Sequence, residues 1–247
     1  MKKNLLPIAA VLTCTSLIIT GCIKSNEYLL RLDDIGKFCK MKTFMFGGPT
    51  ISDTVVFHYN FLGDPDSATW PQRTPHTNFY FTYDNHRRLL DFIGAYPGRA
   101  TGVFWERFFY ASDKSPNPSF DTLFAYPNNF IHWPPTIANY FVRDEFQYDS
   151  LGRITYTQGV NYVYDARGDL VLTGPQFNGP DDKVNYSRTS RIFQFLNKDY
   201  AVNNVFLANK YNRHGLPTDI TLPFYGEGSE GFLGIPYAIA KIEYDCK

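Results

Sequence analysis

Phe146-Gln147-Tyr148-Asp149-Ser150-Leu151-Gly152-Arg153-Ile154 is the stretch that decides the fold of this chain. An aromatic strand ends in Tyr-Asp, two turn residues follow, and a Gly precedes a polar residue and a new apolar strand. Asp suits the first position of a type I turn, and Gly three residues on supplies the left-handed conformation of a bulge. The stretch therefore predicts a β-hairpin. Phe146 and Tyr148, two residues apart, project from the same strand face and are expected to line a core or pack across strands.

Working outward, the same pattern returns as Tyr162-Val163-Tyr164-Asp165-Ala166-Arg167-Gly168-Asp169-Leu170. Weaker copies are Phe81-Thr82-Tyr83-Asp84-Asn85-His86-Arg87-Arg88-Leu89, with Arg87 in place of Gly, and Tyr211-Asn212-Arg213-His214-Gly215-Leu216. Tyr59-Asn60-Phe61-Leu62-Gly63 fits in outline, and Tyr244-Asp245 begins a copy at the end of the sequence. The chain carries 22 Phe, 18 Tyr, 16 Pro and 18 Gly. Aromatic side chains favour half-buried pleated surfaces, and Pro and Gly break the strands. The expected fold is all-β: an antiparallel meander of hairpins forming a twisted sheet or partly closed barrel. Long loops rich in Pro, Gly and aromatics are expected at Gly63 to Thr77, Asp113 to Phe120, Asn128 to Pro135 and Gly174 to Tyr186, and a short helix around Phe195 to Asn204.

The pattern resembles the YD repeat of Rhs-type proteins. It resembles more closely small uncharacterised envelope lipoproteins of Gram-negative bacteria with a few degenerate YD-like hairpins. In the large Rhs proteins such repeats build a shell around a toxin. Here the copies follow one another at steps of 24, 65, 16, 47 and 33 residues, which does not suit a closed shell. The resemblance implies hairpin geometry, not chemistry.

The N-terminus opens with Lys2 and Lys3, runs apolar from Leu5 to Ile19 with Pro7 inside, and ends in Ile19-Thr20-Gly21-Cys22. A charged start, a short apolar run and a small-residue cleavage site are the order of a secretory signal. A spanning helix needs roughly 20 residues, and this run is shorter. Ile19-Thr20-Gly21-Cys22 resembles the lipobox of bacterial lipoproteins, which implies lipidation of Cys22 and cleavage before it. Ile23 carries no inner-membrane retention signal, so the resemblance implies the outer membrane, on either face. The expected organisation is a signal peptide over 1–21, lipidated Cys22 and a tether over 22–36, and a single β domain over 37–247.

Removing residues 1–21 from 247 leaves 226, with 22 basic against 24 acidic side chains. No basic patch appears, and nucleic-acid binding is not expected. His86-Arg87-Arg88 reads as a solvated turn. Cys39 and Cys246 remain in a compartment that tolerates disulfides and are expected to pair. Two free thiols are one alternative. A metal site is the other, although no Cys-x-x-Cys or nearby His spacing supports it.

The five histidines, at 58, 76, 86, 132 and 214, match no metal or nucleophile spacing. His58 belongs to the strand Val55-Val56-Phe57-His58-Tyr59. The candidate ligand-binding aromatics are Trp70, Trp105 and Trp133, the last within His132-Trp133-Pro134-Pro135. They signify binding if they cluster on an exposed face, and otherwise cap the ends of the sheet. Asp33-Asp34, Asp144-Glu145 and Asp181-Asp182 read as surface acids, since strand neighbours point to opposite faces and a glycosidase needs two carboxylates facing across a cleft. Asn178 to Asp182 lacks the alternating ligands of a calcium loop. There is no Gly-x-Ser-x-Gly, and Gly226 to Gly231 opens no helix. No catalytic residue, metal ligand or cofactor is assigned. The leading functional expectation is a non-enzymatic envelope lipoprotein whose β scaffold binds a partner protein or a glycan. A polysaccharide hydrolase with dispersed catalytic carboxylates and a purely structural envelope protein are the alternatives.

Overall fold

The computed structural model describes residues 35–48, 50–71, 77–96, 102–125, 127, 140–171, 181–222 and 231–247. Cys22, the signal, Trp133, His76 and His132 lie outside them. After the single helical turn α1 (Ile35–Phe38) the chain enters β1 (Cys39–Gly47) and runs up and down. The strands that follow are β2 (Ile51–Tyr59), β3 (Pro65–Thr69), β4 (Asn78–Tyr83), β5 (Leu89–Ala95), β6 (Gly102–Phe109), β7 (Phe120–Ala125) and β8 (Tyr140–Val142). A small sheet follows, from β9 (Gln147–Tyr148), β10 (Ile154–Thr157) and β11 (Val160–Asn161). The chain then rejoins the main sheet through β12 (Lys210–Tyr211), β13 (Pro217–Thr221) and β14 (Ile239–Cys246).

The main sheet has 11 strands in the order β12-β13-β14-β1-β2-β3-β4-β5-β6-β7-β8. Every pairing is antiparallel, and only β14 beside β1 joins strands distant in sequence. Among the described residues its edges, β12 and β8, do not pair, so the sheet is open and no barrel closes. The Cys39–Cys246 disulfide, expected from the sequence, joins directly opposed residues of β1 and β14.

The period-two pattern sets the inner face. In β4, Phe79 and Phe81 are buried while Tyr80 is exposed; in β14, Ala240 and Ile242 are buried while Lys241 and Glu243 are exposed. The inner face packs on α2 (Arg191–Leu196) and on the segment Phe232 to Tyr237. Residues two apart on a helix project to nearly opposite sides, so Phe193 meets Phe57 of β2 at 5.3 Å while Phe195 meets Phe108 of β6 at 5.0 Å. Phe232 packs against both Phe44 and, edge-on, Phe193.

Two sequence expectations shift. The helix lies at 191–196, ahead of the expected Phe195 to Asn204, because Ser190 caps it by accepting from the Ile192 N–H, and Lys198, at φ 53°, turns the chain out of it. The stretch Gly63 to Thr77 is not all loop: Pro65–Thr69 is a strand, with Pro65 at its first position, where a missing N–H is tolerated.

The repeat turns are near copies of one another. Tyr59, Tyr83, Tyr148 and Tyr211 face Pro65, Leu89, Ile154 and Pro217, always six residues on, and Tyr164 bridges Leu170 likewise. In each turn the Asx backbone N–H donates across to the carbonyl four residues on, and its carbonyl accepts from the residue three on. The Asx side-chain oxygen accepts two further N–H groups: in Asp149, those of Leu151 and Arg153 at 2.9 and 3.0 Å. Gly152 and Gly168 take φ of 76° and 88°, and Arg87 is forced to 63° at the same position. A left-handed backbone costs an L-residue with a side chain about 1–2 kcal/mol. We therefore expect Gly152→Ala to lose about that much stability in urea unfolding. Arg87→Gly should stay within about 1 kcal/mol of the parent, because relieved strain offsets an exposed ion pair with Asp64.

Candidate functional site

All five repeat turns stand at one end of their sheets, and four of the five tyrosines before them, Tyr59, Tyr83, Tyr148 and Tyr211, are tied through their hydroxyls. Tyr59, Tyr83 and Tyr148 donate their hydroxyls to the carbonyls of Met41, Pro65 and Pro118 at 2.8, 2.6 and 2.8 Å. Tyr110 and Tyr244, outside complete repeats, reach Leu89 and Pro217 in the same way. Burial pushes the Tyr59 and Tyr83 phenols above their ordinary range. Adjacent turns are also cross-linked: Arg87 forks onto Asp64, and Arg88 donates to the carbonyls of Ser112, Asp113 and Ser115. Asn117 donates to the Gly152 carbonyl, and Arg153 stacks on Tyr164. Burial works against ionised Asp84, but the N–H groups of Arg88 and His86 and the Arg88 guanidinium outweigh it and hold the carboxyl below its ordinary range. Tyr148, Asp149, Gly152, Tyr164, Asp165 and Gly168 are thus framework residues.

The tryptophans divide. Trp70 is buried on the inner face, edge-on to Phe79 at 5.6 Å. Trp105 is buried on the opposite face, where its indole N–H donates to Asp91 at 2.8 Å. Asp91 also binds Arg107 through both oxygens and accepts from Thr82 at 2.6 Å. An exposed stacking platform is therefore not formed by Trp70 or Trp105, since each indole is taken up in packing. Trp133 lies outside the described residues.

A carboxyl cluster escaped the sequence reading. Glu106 of β6 pairs with Phe92 and Leu123 in the sheet, and Asp121 of β7 pairs with Phe108, which brings both acids to the inner face. Desolvation pushes Glu106 well above the ordinary carboxylate range; its hydrogen bond to Asp121 adds to this, and Lys198 opposes it. Burial also raises Asp121, although the Asp144 N–H donates to it at 3.1 Å. Asp144 in turn accepts from Gln158 at 2.7 Å. One acid sharing a proton with another is chemistry fit for proton transfer, yet the pair sits beside Phe92 and Phe108 of the core. An open depression of about 450 Å³ lies elsewhere, lined by Lys42, Asn212, Thr218, Ile242, Glu243 and Tyr244.

The disulfide has a third neighbour. His214, at the tip of the last complete turn, places a ring nitrogen within 4.8 Å of both sulfurs, and Arg213 donates to the ring. With both sulfurs bonded to each other, this trio offers one nitrogen and no thiolate. Asp181 is held within the fold. It accepts from the backbone of Lys183 and Asn204 and, at 2.6 Å, from the Tyr211 hydroxyl.

The chain matches no protein-family model and no curated protein.

The acid pair makes a pH prediction. A carboxyl whose folded pKa is raised above 4.5 keeps its proton in the folded state, so its contribution to stability is full below that value and falls as pH rises. Glu106→Gln should unfold like the parent near about pH 4 and more reluctantly than the parent near about pH 7. Urea midpoints at the two pH values check this, and a midpoint lower than the parent's at both would refute it.

Proposed function

We propose that this chain is an envelope lipoprotein, most simply of the outer membrane, held by acyl chains on Cys22. Its β scaffold binds a partner protein or a glycan. The lipobox-like Ile19-Thr20-Gly21-Cys22 supports the address. The observation that carries the binding reading is the asymmetry of the sheet. At one end the repeat turns are short and alike, and they and the ten-residue connection 110–119 are tied to one another by hydrogen bonds. From the other end, besides the short 48–50, leave the connections 70–77, 96–101, 126–139 and 222–238, which hold Trp133 and many of the prolines. Rigid sheets commonly carry recognition on such loops.

The test uses the processed, lipidated protein and its Trp133→Ala variant, each cross-linked in envelope extract and applied to a glycan array. A saturable partner or sugar held by the parent and lost by the variant supports the reading. Equal capture by both, or none by folded and oxidised parent, counts against it. Cys22→Ser should remain an unacylated precursor; efficient processing of that variant would remove the lipoprotein reading.

A further inference from the structure

The side chains of Phe61 and Leu62, at the tip of the turn between β2 and β3, take no part in the turn's own hydrogen bonds, which join backbone groups, the Leu62 N–H among them, and the Asn60 side chain. Solubility would make them polar, as in Asn85-His86 and Arg213-His214. The turn between β2 and β3 instead presents Phe61 at 95% exposure and Leu62 at 48%, and Leu151 stands out at 74% on a turn further along. A fully exposed phenylalanine beside an exposed leucine has no role in the fold that holds it.

The place of that tip is informative. Cys39 begins β1 at the same end of the sheet, immediately beside β2, whose last residue Tyr59 leads into the Phe61 turn. Strands lie about 4.8 Å apart, so the tip stands roughly 10 Å from the point where the chain enters the sheet. Lys40 lies between them, its ammonium 5.0 Å from the Tyr59 ring centre. Cys22 precedes Ile35, where the folded part begins with α1, by thirteen residues. A chain of that length reaches at most about 45 Å, and a flexible one averages about 20 Å. Asp64 is held by Arg87 and Asp84 by Arg88, while Asp66 and Asp245 stand exposed at the same end, so the apolar pair rather than charge would carry a contact there.

We propose that this end of the sheet docks on the bilayer that holds the Cys22 acyl chains, with Phe61 and Leu62 entering the interfacial layer and Lys40 at the headgroups. The proposal rests on the lipoprotein reading. Phe and Leu are among the side chains with which interfacial segments enter that layer. A short tether keeps the tip at high local concentration, so weak insertion suffices to orient the protein. The far end of the sheet then faces away from the membrane, toward a partner.

The test places a spin label at Phe61→Cys and, separately, at Thr50→Cys in the connection at the opposite end of β1. Each variant is made from the full precursor, processed in cells and reconstituted in phosphatidylethanolamine–phosphatidylglycerol vesicles. Accessibility to oxygen and to a water-soluble nickel chelate is then compared, and the N-terminal peptide is weighed. The proposal expects acylated Cys22 and, at position 61, severalfold lower nickel access than at position 50, with oxygen access raised. Acylated Cys22 with equal nickel access at both positions overturns the docking and leaves the lipoprotein reading standing. An unacylated Cys22 overturns the reading itself, and the docking with it.

Discussion

The ladder between β1 and β14 is the constraint on which the rest of the structure depends. It pairs Cys39 with Cys246 and continues to Gly47 opposite Ile239, joining the two ends of the described chain in the middle of the sheet. Without it, the strands on either side are two separate ribbons: β1 to β8, and the three-stranded arm β12 to β14. Bringing together residues 207 apart is entropically expensive. The disulfide shifts that cost onto the unfolded chain, by about 5 kcal/mol in the chain-entropy model. The aromatic core builds on the joint, since Phe44 of β1 contacts both Phe232 and Tyr237 from the stretch that leads into β14.

Local chemistry was legible in the sequence because it is written within a few residues. Tyr-Asx-x-x-Gly specifies a turn, a bulge and a six-residue register, and it did so even where Arg87 replaces Gly. The partners of those same residues were not legible. Tyr59, Tyr83 and Tyr148 find their carbonyls 18, 18 and 30 residues away, and no spacing rule links them. The motif that marked a turn was thus also half of a clasp holding the next strand.

The candidate sites divide along the same line. Pairing of Cys39 with Cys246 could be inferred from their number and compartment, but the approach of His214 depends on how β12 and β13 stack beside β14. Glu106 and Asp121 stand on adjacent strands of the inner face, and each looks in sequence like an ordinary surface acid among aromatics. Trp70 and Trp105 are candidate ligand-binding aromatics by sequence, yet burial and the Asp91 hydrogen bond absorb them into the framework. The helix shift has a local cause: the Ser190 cap, not the apolar pattern after Phe195, sets where the helix begins.

If the β1–β14 ladder holds the sheet together, it opens only when the whole molecule opens. Native-state hydrogen exchange, residue by residue, with the disulfide intact and then reduced, checks this. Amides of β1 and β14 should exchange only by global opening while the disulfide is intact. On reduction, protection should fall there and in β13 together, with the β4 and β5 hairpin retaining its local order longer. Fast exchange of β1 and β14 in the oxidised protein, beneath a well-protected β4 and β5, would contradict it.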